Sequence, residues 1–86
     1  MFYYMYILKS SKDDKLYFGS TNNLSRRLKE HNAGLVPSTK SRKPFKLIYF
    51  EGYVSEEEAR HRESNLKLHA RALRQLLIRI DKSVNS

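Results

Sequence analysis

The fold is decided by Phe2-Tyr3-Tyr4-Met5-Tyr6-Ile7-Leu8-Lys9, then Ser10-Ser11-Lys12-Asp13-Asp14-Lys15, then Leu16-Tyr17-Phe18-Gly19. The first run alternates aromatic and aliphatic side chains, which is typical of a β-strand. The second run is a cluster of turn-forming residues, and the third resumes as a short strand. Together the three runs predict a β-hairpin at the start of the chain.

The register of this hairpin decides whether two of its tyrosines meet. An even number of loop residues places Tyr6 and Tyr17 on the same face of the sheet. If Lys9 stands opposite Asp14, the two tyrosines lie directly across from each other. Tyrosine is also an ordinary strand residue, so an alternative is that both rings simply fill the faces of the sheet.

A helix and a basic loop are predicted after the hairpin. Ser20-Thr21-Asn22-Asn23 supplies N-cap residues for a helix that runs to about Asn32, and Gly34 ends it. The segment from Leu35 to Pro44 is basic and irregular. A loop of this length in a small domain is usually functional or mobile.

The rest of the chain predicts one strand and two helices. Phe45-Lys46-Leu47-Ile48-Tyr49-Phe50 has the composition of a third strand, and Ser55-Glu56-Glu57-Glu58 is a capping box that opens a second helix. A last, basic helix runs from about Ala70 to Ile80. The fold class is therefore α+β: a small three-stranded antiparallel sheet flanked by helices, in the order β-β-α-β-α-α.

Composition bounds the size, compartment and partner of the protein. The 86 residues predict one domain, over residues 1–86, with a small core. There is no cysteine, which suits a reducing interior, and the N-terminal apolar run lacks the features of a signal peptide, so we expect a cytoplasmic protein. The formal charge of +8 favours polyanions, namely DNA, RNA or an anionic membrane.

Three polar residues stand at positions where helix periodicity predicts contact with the core. Arg27 and His31 flank the apolar stripe of the first helix and are expected beside its packed face, although both could be ordinary surface residues. Glu63 falls on the apolar side of the second helix, where an unpaired carboxylate must be paired, protonated or metal-bound. An exposed ion pair with Lys67, four residues on, is the alternative to a metal.

Several of these residues, taken in order, resemble a known family. Tyr4-Met5-Tyr6-Ile7-Leu8 is similar to the first signature of the GIY-YIG nucleases, and Leu16-Tyr17-Phe18-Gly19-Ser20-Thr21 to the second. Tyr4 and Met5 replace the glycine and isoleucine of the first signature. Phe18 replaces the isoleucine of the second.

The resemblance continues along the chain from about residue 3 to residue 68. The family's next helix has an arginine and a histidine that fall on Arg27 and His31, and its metal-binding glutamate falls on Glu63. The chain most resembles the small stand-alone bacterial members, and it also resembles the N-terminal catalytic domain of the excinuclease in this family. The resemblance therefore implies a structure-directed DNA endonuclease, with a role in DNA repair or recombination.

The resemblance also implies a mechanism of phosphodiester hydrolysis with one divalent metal, Mg²⁺ or Mn²⁺, held by Glu63. Arg27 would stabilise the phosphate oxygens. Tyr6 would be the general base or relay for the attacking water, with His31 as its hydrogen-bond partner. Tyr17 would position the phosphate or a bound water. Because a free tyrosine has a pKa near 10, we expect activity to rise toward alkaline pH.

Binding of nucleic acid is expected to depend mainly on exposed basic side chains, with the backbone of Gly19 close by. If about six such groups meet phosphates, affinity should fall around 10³-fold between 50 and 200 mM salt. Backbone or shape would then be recognised rather than base order, and a protein partner would supply any target specificity. The alternative for the last helix is a solvated basic face. The six residues are Lys40, Arg42, Lys43, Arg71, Arg74 and Arg79.

Three other functions remain open at this point. The first is a DNA-binding module of the same fold without turnover, and the second is an RNA- or ribosome-associated basic protein. The third is peripheral membrane attachment through the last helix, which ranks last because that helix lacks a tryptophan or phenylalanine anchor.

Overall fold

The computed structural model describes residues 1–86. The predicted order β-β-α-β-α-α is confirmed, with a short 3₁₀ helix in the basic loop and a fourth short helix at the end. No helix is long and apolar enough to cross a membrane. The strands are β1 (Tyr3–Ser10), β2 (Leu16–Thr21) and β3 (Phe45–Tyr53), and the helices are α1 (Leu24–Asn32), α2 (Glu56–Leu68), α3 (Ala70–Arg79) and α4 (Asp81–Val84), with the 3₁₀ helix at Lys40–Arg42.

The three strands form one antiparallel sheet in the order β2-β1-β3, as the sequence predicts. The N-terminal strand β1 is therefore central, and hydrogen bonds hold it from both sides. Strand β3 extends to Tyr53, three residues beyond the predicted end. A bulge between Ile7 and Leu8 of β1 shifts the pairing with β3 by one residue. Because β1 carries Tyr6, the candidate site lies on the best-supported strand of the sheet.

The predicted register of the hairpin is wrong by two residues. Lys9 pairs with Leu16 rather than with Asp14, and Tyr6 pairs with Gly19. The reason is local. Asp14 takes a left-handed φ of 59°, and the amide of Ser10 donates to the carbonyl of Lys15 at 3.0 Å. The loop is therefore longer than predicted, and Lys9 pairs with a residue two positions further along the chain. The predicted shared face of Tyr6 and Tyr17 is confirmed, but the two rings lie diagonally.

The two faces of the sheet carry separate cores. On one face, which we call the α2 face, Met5 and Ile7 of β1 pack against Leu66 of α2 and Leu76 of α3. On the other, the α1 face, a second core of Tyr6, Leu8 and Phe45 packs against the leucines of α1. The alternation of inward side chains along β1 follows from the two-residue period of a strand, and it places Tyr6 on the face opposite the basic helix α3.

Both predicted caps of the helices form. The side chain of Asn23 accepts from the amide of Arg26 at 3.0 Å and begins α1, and Gly34 adopts φ +76° just after it. The hydroxyl of Ser55 accepts from the amide of Glu58 at 3.3 Å and begins α2. These short-range hydrogen bonds explain why the sequence predicts the helix starts well.

The basic loop is fixed to the hairpin turn at its second half. The Arg42 guanidinium donates to the carboxylate of Asp13 at 2.9 Å and lies over the ring of Phe45, 5.6 Å from its centroid. The Ser10 hydroxyl donates to the carbonyl of Arg42 at 2.6 Å, and the amide of Ser11 donates to that of Pro44 at 2.8 Å. This loop therefore has a defined position over the end of α1.

Candidate functional site

Tyr6 lies at the centre of the site, and a glycine makes room for it. Its ring crosses the neighbouring strand over Gly19, with which it pairs. A Cβ atom added to Gly19 would stand 2.4 Å from the Tyr6 hydroxyl oxygen and 2.5 Å from Cζ. Any other residue at position 19 would displace the tyrosine. Gly19 is itself buried, so the structure gives the second signature's glycine a packing role.

The hydroxyl of Tyr6 is bound to a fully buried histidine. The distance from Tyr6 Oη to His31 Nε2 is 2.9 Å, and that from His31 Nδ1 to Thr39 Oγ1 is 2.8 Å. Thr39 belongs to the basic loop, and its hydroxyl also lies 3.4 Å from the carbonyl of Val36. The basic loop closes over His31 and leaves it 0% exposed, so the alternative of an ordinary surface histidine is wrong.

The direction of these hydrogen bonds follows from the donors around them. The carbonyl of Val36 can only accept, so the Thr39 hydroxyl donates to it at 3.4 Å. Thr39 Oγ1 then accepts from His31 Nδ1, which carries the proton of the neutral ring. His31 Nε2 is therefore the unprotonated nitrogen, and the Tyr6 hydroxyl donates to it. In this tautomer His31 is arranged to accept a proton from Tyr6.

Burial sets the ionisation of this pair. Burial lowers the pKa of His31, and the charge of Arg27 lowers it further, so the ring is neutral at neutral pH. Burial raises the pKa of Tyr6 to about 12; the nearby Arg27 opposes this, whereas charges on Tyr17 and Glu63 add to it. At rest the pair is therefore neutral phenol and neutral imidazole.

Arg27 is the exposed cation of the site. Its side chain is 34% exposed and donates to Glu30 Oε1 at 3.0 Å. Burial acts against the charged form, but the hydrogen bond to Glu30 and the proximity of Tyr6 outweigh it and raise the pKa of Arg27. An anion that approaches the buried Tyr6 hydroxyl therefore meets a permanent positive charge first.

Tyr17 completes the aromatic wall around the imidazole. Its ring centroid lies 5.0 Å from that of His31 and 6.5 Å from that of Tyr6. Phe45 closes the other side of His31 at 5.8 Å. These rings exclude water from the imidazole, which is the physical reason that it stays neutral.

Glu63 reaches the same region from α2, since its charge acts on Tyr6. Its side chain is 20% exposed, and its Oε2 lies 2.6 Å from the ammonium of Lys67, so the ion pair that the sequence allows is formed. No group of three or more histidine or acidic side chains converges. A single carboxylate can give one ligand to a divalent cation whose other ligands are water and substrate oxygens, and Lys67 holds that position in this structure.

The structure does not bring the predicted basic residues together. Lys40 and Lys43 lie near Gly34 at the end of α1. Arg42 is bonded to Asp13 and to the carbonyl of Leu16, which makes it the least suited of the six to a phosphate. The three exposed arginines of α3 lie on the helix that packs over the opposite, α2 face.

Two polar groups that the sequence does not single out help to hold the site. Thr39 orients His31, and nothing in the local pattern of the basic loop indicates this contact. Glu51 of β3 accepts from the hydroxyls of Tyr49 and Tyr53 at 2.7 and 2.6 Å and from Arg62 of α2 at 2.9 and 3.2 Å. This cluster fastens α2, and with it Glu63, to the sheet. The two-residue alternation of β3 is the sequence signal that could place Tyr49, Glu51 and Tyr53 on one face.

The site thus combines a buried tyrosine–histidine pair, a partly exposed arginine and one carboxylate from α2. The family model of the GIY-YIG catalytic domain matches residues 2–76. The chain therefore belongs to the GIY-YIG family of nuclease domains, as its two signatures indicate.

Relatives and a solved structure agree with this assignment. A UPF0213 protein of Clostridium perfringens is 49% identical over 65 residues, which is 74% of this chain and 69% of that protein. A UPF0213 protein of Haloquadratum walsbyi is 35% identical over 98% of this chain and 94% of its own. The solution NMR structure of a UPF0213 protein from Bacillus halodurans matches with a TM-score of 0.55 and 37% identity, over 90% of this chain and 83% of that one.

Proposed function

We propose that this protein is a metal-dependent endonuclease that hydrolyses phosphodiester bonds in DNA, and that it selects backbone or shape rather than sequence. The observation that carries the proposal is the 2.9 Å hydrogen bond between Tyr6 and the buried His31, with the charge of Arg27 acting on the same Tyr6 oxygen. It combines an exposed charge for the phosphate with a hydroxyl whose proton already points to an acceptor.

Tyr6 and His31 together perform the proton transfer. With the Tyr6 pKa at about 12, the phenolate fraction at pH 7 is about 10⁻⁵, a free-energy cost of about 7 kcal/mol. The positive charge of Arg27 lowers this cost because it stabilises the phenolate, and His31 Nε2, 2.9 Å away, is the group to which the phenol proton passes. The Tyr6 oxygen can then take a proton from the attacking water.

Arg27 binds the phosphate through its exposed face. Its donors are directed at the negative charge that grows on the non-bridging oxygens in the transition state. Tyr17, whose ring lies 6.5 Å from that of Tyr6, positions the phosphate beside the Tyr6 hydroxyl. Glu30 holds the guanidinium in place at 3.0 Å, so that little side-chain freedom is lost when DNA binds.

Glu63 would hold the divalent ion, Mg²⁺ or Mn²⁺. When bound, such an ion supplies positive charge that neutralises the scissile phosphate and the departing 3′ oxygen. Lys67 must release the carboxylate for this purpose, and its exposed, flexible side chain allows it. With Glu63 neutralised, its contribution to the raised pKa of Tyr6 also falls.

Nucleic acid would be held by the exposed cations rather than by all six predicted residues. Without Arg42, five remain, divided between the loop at the end of α1 and helix α3. Because these two groups lie over opposite faces of the sheet, a bound strand that meets both must pass around the edge of the molecule. Alternatively, a partner protein could hold the DNA, so that one strand need not contact both groups of cations.

A cleavage assay tests the proposal. The purified protein is mixed with labelled plasmid, flap, branched and single-stranded DNA, with Mg²⁺, with Mn²⁺ and with EDTA. We expect cleavage that requires the metal and is lost in Glu63→Ala but retained in Glu57→Ala, an exposed glutamate on the first turn of the same helix. Binding without cleavage on every substrate and with every metal would instead make the protein a non-catalytic binding module.

A further inference from the structure

Part of the α1 face is left uncovered by α1. The helix covers the end of this face that holds Leu8 and Phe45. Toward the other end, Phe2, Tyr4 and Phe50 form an aromatic cluster, which we call the aromatic platform. Phe2 is 53% exposed and Phe50 50% exposed. Because the three rings adjoin one another, they make a contiguous apolar patch, and such patches are candidates for binding surfaces.

The platform is open and well ordered. Tyr4 and Phe50 are in edge-to-face contact with centroids 5.8 Å apart and an interplanar angle of 75°. Gly52 lies beneath them, and a Cβ atom added there would meet Tyr4 Cε1 at 3.5 Å and Phe2 Cδ1 at 3.8 Å. The rings therefore pack over the backbone of β3 at ordinary contact distance. The edge-to-face contact holds Tyr4 and Phe50 together, while Phe2 and Phe50 remain half exposed.

The platform adjoins the phosphate site. Phe50 pairs directly with Tyr6 across β1 and β3, so its side chain stands one strand away, about 5 Å, on the same face. The positive charge of Arg27 acts on the Tyr6 hydroxyl, which lies over Gly19 on the β2 side. The apolar surface for a base and the cation for a phosphate therefore lie on either side of Tyr6.

The chemistry of the occupant follows from this arrangement. Aromatic rings beside a positive charge suit a polyanion that carries planar groups, and the chain has a formal charge of +8. In a duplex the base faces are already stacked on their neighbours and cannot reach a protein ring. Only an unpaired base presents a free face. The platform also includes Tyr4, which replaces the glycine of the family's first signature. This part of the platform is therefore a feature of this chain and not of the signature.

We propose that the aromatic platform stacks an unpaired base of single-stranded DNA next to the phosphate held by Arg27. This inference rests on the proposed function and names its substrate: a single strand, or the single-stranded part of a flap or fork. The base anchors the strand, and the adjacent phosphate comes to lie over Tyr6.

Fluorescence anisotropy tests the proposal in EDTA, so that no strand is cut. Three ligands of equal length are compared: a single strand of mixed sequence, its duplex, and an abasic strand with the same phosphates and no bases. We expect the single strand to bind roughly 5- to 100-fold more tightly than the abasic strand. Phe50→Ala should remove this preference, and Phe50→Trp should keep it. Ile78→Ala, at an exposed apolar residue on α3, should leave it unchanged.

Each result decides one proposal. Equal affinity for the single and abasic strands, or a preference that survives both Phe50→Ala and Tyr4→Ala, overturns the stacking proposal even if the protein cuts DNA. A preference for bases that depends on Phe50, in a protein that never cuts, supports stacking while it refutes the nuclease. Circular dichroism of each variant confirms that it is folded.

Discussion

Substitution of Gly19 by alanine gives the sharpest test of how the site is built. The new Cβ would lie 2.4 Å from the Tyr6 oxygen, whereas ordinary contacts begin at 3.4 Å, so the ring must move by about 1 Å. Overpacking of this kind costs about 1–3 kcal/mol. The shift also breaks the 2.9 Å bond to His31 and leaves a buried nitrogen unsatisfied, at about 1–3 kcal/mol more.

The expected total is a loss of about 2–6 kcal/mol from a domain of this size, whose whole stability is about 4–13 kcal/mol. Urea denaturation followed by circular dichroism should show the midpoint lowered by about 2 M or more. DNA cleavage by the folded fraction should fall as well, because Tyr6 no longer meets His31.

Gly52→Ala is the matched control. It lies on β3 of the same sheet, it also avoids the left-handed region, and its added Cβ makes only ordinary contacts, the nearest at 3.5 Å. We expect it to be neutral or to stabilise the protein by up to about 1 kcal/mol, since alanine restricts the unfolded chain. Equal destabilisation by the two substitutions would refute the claim that Gly19 exists to accommodate Tyr6.

Three further predictions concern pH, packing and salt. Because the pKa of Tyr6 is raised to about 12 and its phenolate is the base, the cleavage rate should increase from pH 7 toward pH 10, and a maximum below neutrality would contradict this role. Glu51→Gln should lower the free energy of unfolding by about 2–3 kcal/mol, because a partly buried carboxylate loses its charged bond to Arg62. The control Glu56→Gln, in an exposed ion pair, should lower it by no more than about 0.5 kcal/mol. Similar losses for the two variants in urea denaturation would argue against the Glu51 cluster. If the five exposed cations all meet phosphates, DNA affinity should fall about 500-fold between 50 and 200 mM salt, and a salt-insensitive complex would exclude that mode of binding.

The architecture can be predicted from sequence because its determinants are local. The alternation along β1, the Asn23 cap and the Ser55 cap each depend on a few neighbouring residues, and all three are present in the structure. The hairpin register cannot be derived in this way. It depends on the left-handed conformation of Asp14, which the sequence permits but does not require.

The candidate site is harder to predict because its contacts are long-range. Helix periodicity places His31 at the edge of the apolar stripe, and only the closure of the basic loop, with Thr39, buries it. The positive charge of Arg42 makes it a candidate for DNA contact, but Asp13, distant in sequence, binds it. For Glu63 the sequence allows an ion pair or a metal, and the structure adds both the pair and the proximity to Tyr6.

Comparison of the wild type with Tyr6→Phe tests the central claim most directly, because that substitution removes a single oxygen from the buried ring. The measurement is the single-turnover rate of metal-dependent cleavage on the best substrate, with folding checked by circular dichroism. We predict that Tyr6→Phe still binds DNA but cuts about 10²- to 10⁴-fold more slowly. Equal rates for the two proteins would mean that the Tyr6 hydroxyl, and the proton path to His31, take no part in the reaction.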